Sequence, residues 1–357
     1  MCSESGVMTN DLITRARARD ADAFRELTER HSRELHVHCY RMLGSFQDAE
    51  EAVQDTLLAA WQALVGFEGR ASLRTWLFRI ATNRCLDALR SARRRPTREW
   101  VMPGIEPPDP TRLSELVWLE PFPDALLGGA SNVPLGPEAR YEQTEALSLA
   151  FVTALQVLPA RQRAALILRD VLGYRAREVA DMLDSTVESV NSALKRARAR
   201  LQDRLRLRGE GDPPPASNSA AERSLVAKFV RAYEAGDVDA LVALLTDGVS
   251  VSMPPVPLEY QGRHVVARFY ASVMRHGWQY ELVETRSNGQ PAFGAYLRDS
   301  TDGIRHGGGL LVLTLSGDRI SAITRFDNNV LPWFGLPRSL NSETPAPTPP
   351  HQHGAPV

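Results

Sequence analysis

Two stretches of this 357-residue chain carry the side chains best suited to chemistry, and that chemistry is the gripping of a polyanion. From Glu68 to Arg98 nine arginines stand against two acids, a net of +7. From Lys195 to Arg208 seven basic residues stand against Asp203, a net of +6. Residues 101–150 lie between them with two basic and eight acidic residues, and residues 1–60 carry seven against eleven. Two basic blocks parted by an acidic one suit contact with nucleic acid at two places. A solvated helix face is the ordinary alternative for either block alone. His36, His38 and Cys39 have metal-ligating side chains, but positions 36 and 38 on a helix point about 200° apart and cannot share an ion. They read as structural, and neither a metal nor a cofactor is expected.

The elements that must carry these residues are mostly helices. Apolar residues recur at helical spacing from Asp20 to Leu43, and Gly44 is a good stop. Ser45, with Asp48 three residues later, reads as the cap of a second helix that runs to about Leu64. Ser72 opens a third, Leu73 to about Arg95, ended by Pro96. Residues 96–138 hold nine prolines and read as an extended acidic linker. Helices resume over residues 140–208. Pro159 fits the first position of one, Arg175–Leu183 forms another, and Thr186–Leu207 follows a break at Asp184–Ser185. Ser185 and Glu188 would cap that last helix. Two helices joined by a short turn, the second one basic, form a helix-turn-helix signature, with a plain helical hairpin as the alternative.

A second linker, 209–219, precedes a change of character. Helices Glu222–Glu234 and Val238–Leu245, strand Val249–Met253 and helix Val265–Met274 come first. Alternating segments Gln279–Arg286, Ala292–Arg298, Gly309–Ser316 and Arg319–Phe326 follow, with turns at Asn288-Gly289 and Gly317-Asp318. This order implies an α+β domain. Residues 341–357 read as a disordered tail. Composition agrees with a multidomain globular chain: 43% hydrophobic, 24% charged, net charge −1, three cysteines. No apolar run approaches the 18 or so residues of a membrane span, the first residues lack a secretion signal's apolar core, and a cytoplasmic setting is expected.

The segments DAEEAVQDTLLAAWQAL and FEGRASLRTWLFRIATNRCLDALRSARRR resemble region 2 of extracytoplasmic-function (ECF) RNA polymerase sigma factors of the sigma-70 family. LQVLPARQRAALILRDVLGYRAREVADMLDSTVESVNSALKRARARL resembles region 4 of the same proteins. MPPVPLEYQG, SNGQPAFGAYLRD and FGLPRSL are similar to the SnoaL-like (NTF2-like) domain appended to some of them, and WLEPFPD in the linker resembles the sigma-G-like group. The fold implied is multidomain: a region 2 helical bundle (10–96), an acidic linker (97–139), a region 4 helix-turn-helix (140–208), a short linker (209–219), an α+β NTF2-like cone (220–340) and a tail (341–357).

The resemblance implies a non-enzymatic transcription initiation factor. Its partners would be core RNA polymerase, through the β′ clamp helices and the β flap, and promoter DNA. Asp48, Glu51, Gln54, Asp55, Leu57 and Trp61 are implied in clamp docking; Asp48, Glu51 and Asp55 do fall along one helix edge. Phe67, Arg70, Arg74, Asn83, Arg84, Asp87 and Arg90 are implied at the −10 element. Thr186, Glu188, Ser189, Asn191, Ser192, Lys195, Arg196 and Arg198 are implied at the −35 element, with Arg200 on phosphate and Val190 and Leu194 turned to the core. Asp184 stands where the motif usually has glycine, and aspartate tolerates the left-handed turn. The linker would thread the polymerase cleft. The cone would regulate the factor, and Tyr260, Tyr270, Trp278, Tyr296, His306 and Asp327 are the candidates to line a pocket for an unknown small molecule. Two other readings remain at this stage. One is a conventional ligand-responsive helix-turn-helix regulator. The other is an isomerase or hydrolase using Asp327 and His306, fused to a DNA-binding part.

Overall fold

Local capping sets the first helices. A computed structural model of the protein describes residues 11–91, 107–114, 118–127, 147–207, 212–274, 279–298 and 304–340. Trp278, the tail and most of the linker lie outside these. Helix α1 spans 11–17. The Asp20 carboxylate accepts from the N–H groups of Asp22 and Ala23, each at 3.0 Å, and starts α2 (Ala21–Leu43). Gly44, at φ 71°, stops it, and Ser45 accepts from the Asp48 N–H at 3.1 Å to start α3 (Phe46–Ala63). Helix α4 (Leu73–Ser91) completes the group. Leu27, Leu35 and Cys39 of α2, Ala52 and Ala60 of α3, and Leu77, Phe78 and Cys85 of α4 are buried between the three. Truncating one of the leucines there to alanine costs about 2–5 kcal/mol.

Four further helices lie wholly or mostly in the same compact unit: α5 (Leu149–Gln156), α6 (Ala160–Leu166), α7 (Ala176–Met182) and α8 (Val187–Leu207), with a π turn, Ile167–Val171, after α6. Pro159 sits one position before α6, as its cap residue, rather than as its first residue. Arg163 joins the two helical groups. It is buried and donates to the carbonyls of Met42, Gln156 and Leu158, while the Gln156 amide donates to the Arg41 carbonyl at 3.1 Å.

His38 is the other buried polar side chain of note. Its Nε2 lies 2.9 Å from the Thr82 hydroxyl, and among the described residues its Nδ1 has no partner. Burial, with Arg41 and Arg74 adding repulsion, pushes its pKa down to about 3. The unfolded imidazole takes a proton near pH 6.5 and the folded one does not, so stability is lost as pH falls from 6.5 towards 3. Thermal melts of this unit should lose about 1.4 kcal/mol per pH unit below 6.5 from this group, and His38→Leu should remove that slope.

The second unit, described by itself, comprises residues 96–125, 148–150 and 205–357. Its sheet has strands β1 (Arg112–Leu113), β2 (Leu245–Met253), β3 (Val256–Gln261), β4 (Tyr280–Ser287), β5 (Gln290–Arg298), β6 (Arg305–Ser316), β7 (Arg319–Phe326) and β8 (Ser339–Leu340). Their order is β1-β3-β2-β7-β6-β5-β4, with β8 on the first residues of β6. Among the described strands only the β2–β7 pair is parallel. Helices α9 (Ala220–Glu234), α10 (Val238–Ala243) and α11 (Arg263–Met274) share the sheet's apolar core, built on Phe229, Tyr233, Val266, Phe269 and Phe293. Asn288 and Gly289, both at positive φ, make the β4–β5 turn. The sequence pattern did not indicate β1, β3 or β8: two are two-residue pairings, and β3 follows a Pro-Pro pair that reads as a loop.

Candidate nucleic-acid interface

Helix α4 buries Leu77, Phe78, Ala81, Thr82, Cys85 and Leu86 and turns Arg79, Arg84, Asp87 and Arg90 to solvent, with Asn83 half-buried beside them. Asp87 and Arg90 pair with each other at 2.5 Å. In the loop before α4, Arg70 is exposed and pairs with Glu68. Phe67 is not presented. It is buried with its ring 4.9 Å from Trp76, and Arg17 donates to its carbonyl, so it supports the loop from below. Arg74 is engaged too. It bonds Glu34 at 2.7 Å and the Tyr174 hydroxyl at 3.0 Å, and lies over the rings of Phe78 and Tyr174.

On α3 the open strip is Glu51, Gln54, Asp55 and Leu58, at i, i+3, i+4 and i+7. Leu58 is 57% exposed beside two carboxylates and was not among the residues singled out from the sequence. Asp48 and Leu57 are half-buried. Trp61 packs edge-on against Phe24 at 5.0 Å under the Arg19 guanidinium, so it acts chiefly as packing.

Helix α8 divides cleanly. Val190, Leu194 and Ala197 are buried, as periodicity requires. Glu188, Ser189, Asn191, Ser192, Lys195, Arg196, Arg198 and Arg200 are exposed, with Thr186 just before them. The cap is Thr186, whose hydroxyl accepts from the Ser189 N–H at 3.2 Å, and not Ser185. Asp184 adopts φ 45°, so the turn survives without glycine. Arg198 is held by Asp170 through two bonds of 2.8 and 2.7 Å. Arg79 reaches the Asp184 carboxylate at 2.8 Å. The side chains that face outward on α4 and α8 are therefore polar, largely cationic, and set on rigid helices, an arrangement suited to phosphate and base-edge contact.

The second unit encloses a cavity of about 50 Å³ between α9, α11 and the sheet. Tyr270 lines it; Tyr260, Tyr296, His306 and Asp327 do not. The Tyr260 hydroxyl donates to the Pro108 carbonyl at 2.9 Å, and the Tyr296 hydroxyl to that of Pro337 at 2.7 Å. Asp327 caps the 3-10 turn Asn328–Phe334, accepting from the Asn328 N–H at 2.7 Å, and His306 is exposed. Among the lining residues that sequence reasoning missed is Arg325, one of two arginines of β7 and next to the strand's last residue.

The described part of the linker docks on this same unit. Thr111 and Ser114 donate backbone N–H groups to the carbonyls of Glu259 and Pro257, and Arg112 pairs with Glu259 at 2.5 Å. Phe122 is 1% exposed, and it exchanges two bonds with Asn288: its N–H to Oδ1 at 2.8 Å, and the Asn288 N–H to its carbonyl at 3.0 Å. Asp124 accepts from the Gly289 N–H at 2.8 Å. Burial pushes its carboxyl up to about 6, the Gly289 bond and Arg286 pulling the other way and Glu222 adding to the rise. A carboxyl raised in this way favours the docked state less as pH rises from about 3.8 to 6.

Family models match three parts of the chain: "Sigma-70 region 2" over residues 27–95, "Sigma-70, region 4" over residues 148–201, and "SnoaL-like domain" over residues 226–325. The ECF RNA polymerase sigma factor SigG of Mycobacterium tuberculosis is 42% identical over 322 residues, spanning 88% of this chain and 84% of that one. SigW of Bacillus subtilis is 26% identical over 200 residues, 56% of this chain and 98% of its own. Among solved structures, the fold is like that of the M. tuberculosis ECF sigma factor SigJ, with a TM-score of 0.55 at 21% identity, covering 85% of this chain and 95% of that one. Among the described residues no helix is long and apolar enough to cross a membrane. The chain belongs to the extracytoplasmic-function RNA polymerase sigma factors, the promoter-recognising proteins of the sigma-70 family, and carries a SnoaL-like domain at its C-terminal end.

Proposed function

We propose that the first unit docks on the β′ clamp helices of core RNA polymerase through the α3 strip Glu51, Gln54, Asp55 and Leu58, flanked by Asp48, Leu57 and Trp61. Arg70, Asn83, Arg84, Asp87 and Arg90 meet the −10 element, and Arg74 joins them once it leaves Tyr174. Thr186, Glu188, Ser189, Asn191 and Ser192 face bases of the −35 element, while Lys195, Arg196, Arg198 and Arg200 hold phosphate. Region 4 meets the β flap near Leu166–Val171. The domains run 10–96, 97–139, 140–208, 209–219, 220–340 and 341–357, and the SnoaL-like domain is regulatory rather than catalytic. The setting is the cytoplasm, where the polymerase works.

The observation that carries the regulatory reading is the capture of the linker by the C-terminal sheet. A sigma linker must thread the polymerase, and a segment fixed by Phe122 and β1 is not free to do so. The C-terminal domain therefore restrains the factor. Run-off transcription with purified core polymerase tests this on the full chain. Phe122→Ala, which removes the buried anchor, should raise promoter-specific transcript several-fold; unchanged or lower yield would sink the restraint reading. The enzyme reading has little support, because Asp327 and His306 both lie away from the cavity.

A further inference from the structure

The bend that shapes the cone also prepares a binding site. Residues Ala295 and Tyr296 pair with Gly309 and Gly307, which leaves Gly308 out of the β5–β6 ladder as a bulge. The Gly308 carbonyl accepts instead from Nη2 of Arg325. This bond lays the Arg325 side chain along the glycine stretch and brings it to the cavity wall, where Gly308 and Leu311 of β6 also lie. A Cβ on Gly309 would lie 3.5 Å from that guanidinium, an ordinary contact, but 2.3 Å from the Phe326 carbonyl oxygen, so it is the backbone of β7 that requires glycine there.

Among the described residues, Arg325 is the only charged one that lines the cavity. Among the described residues no carboxylate pairs with it. The rest of the wall falls into two parts. Tyr233, Tyr270 and Tyr280 supply phenols, and Val251, Met253, Phe269 and Val273 supply apolar surface. Burial raises the pKa of all three tyrosines, that of Tyr280 to about 12, against the pull of the Arg325 charge, so they stay protonated donors at neutral pH. One cation and three neutral phenols make a half-buried site of net charge +1. A cation there without a counter-charge is costly, and an anion that enters regains what water supplied. The remaining wall offers that anion nothing but hydrocarbon and aromatic rings.

We propose that the cavity binds a short-chain monocarboxylate, its carboxylate held by Arg325 and its alkyl part lying among Val251, Met253, Phe269 and Val273. A dianion would bring an unmatched charge, and a neutral ligand would leave Arg325 unpaired. At about 50 Å³ the cavity is small, which suits a short-chain acid near the size of butyrate rather than a polycyclic ligand. If the C-terminal domain is regulatory, such an acid is the signal it reads; the binding site itself does not depend on that reading.

Calorimetric titration of the full chain with sodium butyrate tests the site. The expected result is saturable binding with a Kd on the order of 1 mM. Butyramide has the same shape without the charge and should bind at least about tenfold more weakly to the unaltered protein. Arg325→Gln should weaken butyrate to a similar degree. Binding of butyramide equal to that of butyrate would overturn the proposal without reliance on any variant. So would sulfate competing as well as butyrate, or failure of butyrate, isobutyrate and benzoate alike to saturate. Charge-dependent butyrate binding establishes the site whatever transcription does. A run-off yield unchanged by saturating butyrate would then count against the regulatory reading alone.

Discussion

Full-length protein carrying Glu51→Lys and Asp55→Lys together loses at least about tenfold of its run-off transcription with core polymerase, while its unfolding free energy stays within about 0.5 kcal/mol of the parent. Both side chains are exposed and neither has an ion-pair partner among the described residues. The substitution therefore removes nothing from the helical core. They stand one turn apart on α3, beside the exposed Leu58, so reversing them puts two like charges where, on the proposed docking, a basic partner seats. Like charges across an interface cost several kcal/mol, and tenfold corresponds to only about 1.4. Pull-down of core polymerase separates docking from promoter reading: binding falls with transcription if α3 is the docking face. Full activity in the double variant would remove α3 from the interface.

The second large effect is structural. Gly309→Ala should destabilise the C-terminal unit by about 3 kcal/mol or more, read as a shifted urea transition with the helical unit's transition unchanged. Gly309 sits at φ 143°, a region that alanine avoids. A Cβ there would stand 2.3 Å from the Phe326 carbonyl oxygen. That oxygen belongs to β7, held against β6 by the Leu310–Phe326 pairing, so neither strand can yield without breaking the ladder. Gly308→Ala is the control. Its added atom meets nothing nearer than 3.4 Å and its backbone lies outside the positive-φ range, so its transition should move by less than about 1 kcal/mol.

Features set by neighbouring residues were legible in the sequence. Gly44, Ser45, Asp184 and the Asn288-Gly289 turn act within one turn of chain, and each adopts a conformation that its residue type admits more readily than most. The buried strip of α8, Val190, Leu194 and Ala197, follows from a 3.6-residue period alone. What was not legible depends on partners far along the chain. Tyr260 and Tyr296 are aromatic residues on strands, and composition makes them equally fit for a pocket or a core. Their hydroxyls are claimed by Pro108 and Pro337, the first 152 residues away. The linker's charge and prolines describe an extended segment, but nothing local tells it to find Glu259, 147 residues on from Arg112. Arg325 was hidden because an arginine near the end of a strand that also opens on Arg319 belongs to no period or motif; only closure of the sheet around it shows what it faces.

The short strand β1 has an effect on the sheet's solubility. It is the outermost strand, and where it pairs it covers the backbone of β3. Undocking it turns Val256–Gln261 into an open edge, the kind of template on which other chains stack. The same event strips Arg112 from Glu259, a side chain only 14% exposed while the pair is made. The freed carboxylate then stands unneutralised on the bare edge, and charge placed there is how natural sheets repel foreign strands. Glu259 thus clasps the linker while it is docked and guards the sheet against aggregation once it has left.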